Sequence, residues 1–304
     1  PSWRALRNGC PRLRGRCAGC QRGRTLTTKA TSLVGQLRLV AVAAPGVRAA
    51  ITVAIAVVGI IPILLPSNRL GNNALFIEDD WYYYLEIGER VWSHGYPTFD
   101  GITFTSGFHP LWQIVVAIVA APFVLVGQTA WVPYAVLVVN LALVILVAQL
   151  LFSLLRRSFH EAVAASAAVV APAVTMPFLL NGMESSLLAV SVLTLALALR
   201  LARDDDIDLS GAALGVLATF VLLSRWESVI LLLLWAPWVL AQVGSRRLLT
   251  AAIAPIVALL AFGGLFWAVD GEPVPTSATV KQFWDEAEVR WYDGVPDQSL
   301  SGRT

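Results

Sequence analysis

Between positions 101 and 155 the chain carries no Asp, Glu, Lys or Arg. So long an uncharged stretch cannot give a soluble domain its polar outer face, and the solvent it implies is lipid. The remainder agrees: hydrophobic residues make up 57% of the chain and charged residues 14%, against about 25% charged in an ordinary soluble domain. In hydrocarbon every backbone polar group must be satisfied inside the protein, which leaves helices for apolar runs of this kind. The expectation is an all-α fold, a polytopic transmembrane helix bundle crossing the cell membrane several times.

A spanning helix needs about 20 mostly apolar residues. Seven segments meet or approach that length, at about 49–65, 131–155, 161–180, 186–202, 211–224, 228–243 and 249–268. Arginine and lysine remain on the cytoplasmic side of membrane helices. Arg4 to Arg48 therefore lie inside, as do Arg156 and Arg157, Arg200 and Arg203, and Arg246 and Arg247. The turns at 181–185 and 224–228 and the tail after Asp270 then lie outside. An eighth apolar run, 111–127, breaks the parity if it crosses. It is short and holds Gln113 and Pro122, so it reads as an interfacial or re-entrant helix on the outer side. The competing reading is an ordinary span that violates the charge rule once. The organisation expected is a basic cytoplasmic segment over 1–48, a transmembrane domain over 49–268 with an outer loop at 67–130 that includes interfacial helices, and an extracytoplasmic stretch over 269–304.

The cysteines, Cys10, Cys17 and Cys20, all lie in the basic segment. A zinc site normally needs four ligands and no histidine is near, so this reads as a basic tail on the reducing side. The net charge of +2 and the lack of a basic stripe interleaved with aromatics argue against nucleic acid as a partner. No phosphate-binding glycine loop, zinc-protease motif or serine elbow occurs.

Polar chemistry collects on the expected outer face. The first loop carries Glu78, Asp79 and Asp80, then Trp81-Tyr82-Tyr83-Tyr84, with Glu86, Glu89 and Arg90 following. From about 80 to 92 this reads as an amphipathic helix with its rings at headgroup level. Three adjacent acids repel, which raises a carboxylate pKa unless a cation is near, and such a group is a candidate general base or metal ligand. The plainer reading is a solvated acidic loop. Further along come His109, Glu184, and Arg225 with Glu227. A charge at a membrane boundary is costly unless paired or functional. Lys281 is the single lysine beyond Lys29.

In this order the residues resemble a family. The acids after the first span with the following tyrosines, the run Thr105-Ser106-Gly107-Phe108-His109-Pro110-Leu111-Trp112, the turn Gly182-Met183-Glu184-Ser185, and the Arg225–Glu227 turn are similar to the GT-C superfamily of membrane glycosyltransferases. The likeness is to the branch related to protein mannosyltransferases, aminoarabinose transferases and arabinofuranosyltransferases, and it covers about 49–285. The resemblance implies a polyprenyl-phosphate-linked sugar donor and an extracytoplasmic glycan, lipid or protein acceptor. It also implies horizontal helices in the first outer loop and an essential acid there, a position matched by Asp79 and Asp80, with Glu78 an extra acid. Many members carry more spans and a soluble C-terminal domain, so the chain is expected to be a truncated relative.

On this reading Asp79 or Asp80 takes the acceptor proton as general base, and inversion at the anomeric carbon follows from direct displacement. Arg225 or Lys281 holds the departing phosphate. A divalent cation bridged by Asp79 and Asp80 is the alternative way to neutralise it. Glu78, Tyr83, His109, Glu184 and Glu227 complete the candidate substrate-binding set. A lipid or solute transporter, or a flippase, is the rival from another class. A non-catalytic membrane subunit presenting its outer loop is a third reading. Transporters place ionisable groups near the bilayer midplane, whereas here they gather at one boundary.

Overall fold

The computed structural model describes residues 45–64, 79–204 and 207–271. Among these residues the chain is all-helical, with ten α-helices, one short 3-10 turn and no strand. The helices are α1 Pro45–Leu64, α2 Asp79–His94, α3 Pro110–Leu125, α4 Val132–Leu155, α5 Glu161–Val174, α6 Met176–Leu179, α7 Ser185–Arg203, α8 Gly211–Ser224, α9 Ser228–Val243 and α10 Ser245–Asp270. The segments Thr129–Leu155, Ser185–Arg203 and Ser245–Val269 are long and apolar enough to cross a membrane. The other apolar helices, among them Pro110–Leu125 and Ser228–Val243, are shorter. At 16 residues, α3 rises about 24 Å, less than a hydrocarbon core of about 30 Å.

The apolar run at 161–180 is broken where a single span is expected. α5 stops at Val174 and a separate four-residue turn, α6, begins at Met176. Pro177 cannot donate the backbone hydrogen bond that would carry the helix through. Thr175 at the junction turns its hydroxyl back to the Ala171 carbonyl at 2.8 Å. Gly244, with φ of +80°, makes the one-residue corner between α9 and α10, a backbone position natural to glycine.

Three apolar clusters hold the helices together, and α4 contributes to each. Ile51 and Ile55 of α1 meet Val144, Ala148 and Phe152 of α4 and Ala164 and Ala168 of α5. Trp81, Tyr84 and Leu85 of α2 and Trp112, Val116 and Ala120 of α3 meet Val132, Val136 and Leu137 of α4. Leu150 and Leu154 pack against a third cluster built from α7, α8, α9 and α10. Much of the outer surface remains apolar: Leu234 is 72% exposed and Leu260 is 71% exposed. Only 6% of the most apolar stretch of α10 is buried. Contiguous apolar surface of that extent is foreign to a water-soluble monomer.

α8 approaches α10 closely through a pair of glycines four residues apart. A Cβ on Gly211 would stand 2.7 Å from the Arg247 carbonyl oxygen, and one on Gly215 would stand 2.6 Å from that of Ala251. Small residues at this spacing let helix backbones meet without side chains between them. Gly215→Leu is expected to push α8 from α10 and destabilise the fold by about 3 kcal/mol, read as an earlier unfolding midpoint in detergent. An unchanged midpoint would contradict this packing.

Charged residues sort to the two ends of the helix set. At one end Arg48 at the start of α1 donates to Gln149 and Ser153 near the end of α4, at 3.0 and 2.8 Å. Asp204 after α7 accepts from Arg157 and Arg200, both at 3.0 Å, and Asp208 pairs with Arg247 at 3.1 Å. The basic boundaries read from the sequence therefore share one end. The opposite end, where α7 begins and α8 and α10 finish, holds the candidate site.

Candidate functional site

The site forms around Glu184, the residue that precedes α7. Its carboxylate is 1% exposed, and three hydrogen bonds, one within the turn and two from other helices, fix the turn that aims it inward. Asn181 Oδ1 accepts the Met183 N–H at 3.0 Å. The Gly182 carbonyl accepts the Trp112 indole N–H from α3 at 3.1 Å. Asn140, in the middle of α4, donates its side-chain amide to the Met183 carbonyl at 3.1 Å. Gly182 sits at φ +79° with its Cα against the Trp81 ring, so any side chain there would collide with the indole. The position demands glycine on two counts, the left-handed backbone and the ring.

Around the carboxylate lie groups from three other parts of the chain. His109 Nε2 is 3.5 Å from Oε1 and Arg225 Nη1 is 3.7 Å from the same oxygen. Tyr84 donates its hydroxyl to Oε2 at 3.4 Å and accepts the backbone N–H of His109 at 3.3 Å. Burial, then the neighbouring Glu184 charge, push the Tyr84 phenol far above its ordinary pKa, so it stays protonated and can only donate to that carboxylate. A buried carboxylate is tolerable only when several donors and cations surround it, and here they converge from α2, the loop before α3, and the turn between α8 and α9.

His109 is delivered by the loop at 95–109. Asp100 organises that loop by accepting the backbone N–H groups of Thr103 and Ile102 at 2.7 and 2.8 Å, the Thr103 hydroxyl at 2.7 Å and the Thr98 hydroxyl at 3.0 Å. The hydrogen bonds from Thr103 and Ile102 are the main reason its pKa falls well below the usual carboxylate range. Sequence reasoning passed over Asp100. The signal was available: an Asp followed by Gly and then Thr two residues on is the pattern of a side-chain-closed turn. The loop returns beside the start of α2, so α2 and α3 run side by side in one direction. Gln113 donates to the Tyr84 carbonyl at 3.2 Å and Trp92 to the Ala117 carbonyl at 2.7 Å.

Of the residues selected from the sequence, Glu184, His109 and Arg225 come together, and Glu227 joins them through Arg225 Nε at 3.4 Å. Asp80 is exposed at the start of α2, one turn before Tyr84, and close enough for its charge to add to the upward push on that phenol. Tyr83 stacks on Phe99 with ring centroids 4.7 Å apart; the tyrosine that reaches Glu184 is Tyr84. Asp79 is the first residue of α2, and its side chain lies outside the described residues, as do Glu78, Lys281 and the three cysteines. Among the described residues no three His, Cys, Asp or Glu side chains gather as a metal site.

Two cavities flank the cluster. A wholly apolar crevice of about 250 Å³ lies between α7, α8, α9 and α10, with Leu222 and Val229 on its walls near the Arg225 turn and Leu248 towards its other end. A polar cavity of about 410 Å³ sits at the far end of α2, lined by Glu86, Glu89, Arg90, His94 and Asp100 among others. Burial, then the neighbouring Glu86, raise the Glu89 carboxyl above its ordinary pKa. Comparison of the chain with protein-family models, with curated proteins and with solved structures finds no match.

Proposed function

We propose that this chain is a multi-pass protein of the cell membrane that moves a sugar from a polyprenyl-phosphate donor to an extracytoplasmic acceptor, in the manner of GT-C glycosyltransferases. On this reading the helices form a polytopic bundle. Its arginine-bearing end faces the cytoplasm, and α2 and α3 belong to an outer loop at the far interface. The observation that carries the proposal is the convergence of His109, Tyr84 and Arg225 on buried Glu184, at the end opposite Arg48, Arg157, Arg200 and Arg247. Support for a lipid-linked donor comes from the crevice whose walls begin at Leu222 and Val229, just beside Arg225. A phosphate at Arg225 would leave its isoprenoid tail beside a wall with no polar residue.

The acceptor hydroxyl attacks the anomeric carbon and loses its proton to Asp79 or Asp80. The bond from that carbon to the phosphate oxygen breaks as the new glycosidic bond forms on the opposite face, so the configuration inverts. The departing phosphate gains charge, and Arg225 stabilises it by charge-assisted hydrogen bonds. Glu184 holds Arg225, His109 and Tyr84 in register. Lys281 remains a second candidate for the phosphate, and a divalent cation at Asp79 and Asp80 an alternative.

The test is incubation of the purified full-length protein with a panel of polyprenyl-phosphate sugars and candidate acceptors. Free polyprenyl phosphate and a glycosylated product of inverted anomeric configuration are expected. Movement of lipid or solute across proteoliposomes, without transfer of sugar to any acceptor, would replace this reading with the transporter or flippase one.

A further inference from the structure

We propose that the polar cavity beside the second half of α2 binds a neutral oligosaccharide, which serves as the acceptor of the transfer described above. Half-buried Glu86, Glu89 and Arg90 form its floor, and exposed Ser93, His94 and Thr129 stand at its rim. Positions 86, 89, 90 and 93 recur at helical spacing, so α2 presents them on one flank, while Tyr84 turns to Glu184. At about 410 Å³ the space falls within the range of about 300–1,000 Å³ usual for small-molecule sites.

The walls are built by the packing around them. A Cβ on buried Gly88 would stand 2.8 Å from Val116 Cγ1, so α2 lies close against α3 one residue before Glu89. On the other side, the Tyr96 hydroxyl donates to the carbonyls of Gly101 and Ile102, each at 3.3 Å, and Asp100 closes the same loop. Gly101 has φ of +81°. A Cβ there would stand 3.0 Å from Arg90 Nη1 and 3.3 Å from His94 Nε2. The glycine thus keeps open the space beside a guanidinium nitrogen and an imidazole nitrogen.

The chemistry of the lining selects the ligand. Glu86 and Arg90 pair with each other, and the Asp100 carboxylate is taken up by Thr98, Ile102 and Thr103. Burial, then Glu86, weaken the tendency of Glu89 to ionise. Little unopposed charge faces the cavity, which disfavours a strongly charged ligand. What remains is a mixed set: carboxyl oxygens that accept, guanidinium N–H groups that donate, and an imidazole and two hydroxyls that do either. Sugar hydroxyls also donate and accept, often in adjacent pairs, and match such a set. Asp80 and Glu89 stand nine residues apart on α2, about 14 Å along the helix. One sugar ring does not span that distance, so an acceptor reacting at the opening of α2 reaches the cavity only as an oligosaccharide. The role as acceptor rests on the transferase reading; the binding itself does not.

The test exposes the purified full-length chain, in detergent, to an array of neutral, amino and uronic oligosaccharides, and then titrates the best-retained one beside its monosaccharide by calorimetry. Neutral oligosaccharides are expected to be retained, with the monosaccharide at least about tenfold weaker. Glu89→Ala removes an acceptor and should lower affinity about tenfold. Thr129→Trp, at the exposed rim, should block the cavity by bulk and lower affinity as much, with the thermal midpoint unchanged in both variants. Retention of no oligosaccharide, retention of charged sugars alone, or unchanged affinity in both variants would overturn the site. In a transfer assay Glu89→Ala should raise the acceptor KM and leave kcat intact. Glu89-dependent binding without transfer from any donor would keep the cavity assignment and remove the transferase reading. Transfer with the parent acceptor KM in both variants would do the reverse.

Discussion

Asp79→Asn and Asp80→Asn, made one at a time, are expected to lower sugar transfer by about 10²–10⁴-fold in at least one variant. Asparagine keeps the shape of the side chain and removes the proton acceptor, so the loss reports on base chemistry rather than packing. Asp80 is exposed at the opening of α2, so its replacement by a residue of the same shape opens no cavity. Thermal midpoints should therefore stay within a few degrees of the parent while turnover falls. The effect belongs in kcat, since a base acts in the transition state. Wild-type turnover in both variants would end the assignment of the base to this pair.

Glu184→Gln is expected to cut transfer by about 10²-fold, because the groups it organises would lose their common anchor and a misplacement of about 1 Å is worth that much. Stability should respond less. Removing one member of a wholly buried ion pair is strongly destabilising because the other charge is stranded. Here Arg225 is 45% exposed and lies 3.4 Å from Glu227, so it retains both water and a carboxylate. Glutamine can still accept from the Tyr84 hydroxyl. A drop of a few degrees in midpoint beside a large loss of transfer is the expected pattern. A collapse of the fold with normal specific activity in the surviving fraction would make Glu184 a structural residue alone.

The two ends of this molecule were legible because charge and hydropathy are local. Arg156 and Arg157, Arg200 and Arg203, and Arg246 and Arg247 each sit at the edge of an apolar run, and edges can be counted along a chain. The structure then joins Arg157 and Arg200 through Asp204 and brings Arg247 beside Gly211. Glu184, His109 and Arg225 were selectable for a related reason: a charged or titratable group beside an apolar segment is costly and so conspicuous. Tyr84 was not separable from Tyr82 and Tyr83, since three adjacent tyrosines differ only in the face of a helix they occupy. That face is decided by what packs against it, here Trp112, Val116 and Val136.

The helix lengths divide in the same way. The run at 161–180 reads as one span because apolar residues dominate it after Glu161, yet α5 closes at Val174 and a new turn starts at Met176, just before Pro177. Gly211 and Gly215 carry the spacing of a close helix contact, but that spacing names no partner. The carbonyls they meet belong to Arg247 and Ala251, more than thirty positions away.

The amino-acid sequence alone determined that the chain is helical, that lipid suits its surface, and where charge must stop, because backbone hydrogen bonding and transfer free energies act residue by residue. Only the tertiary structure decided which tyrosine meets Glu184, that Asn140, Trp112 and Trp81 enclose its turn, and that Arg48 and Arg156 share one ring. Those are distances between groups far apart along the chain, and they exist only once helix packing has chosen which faces touch.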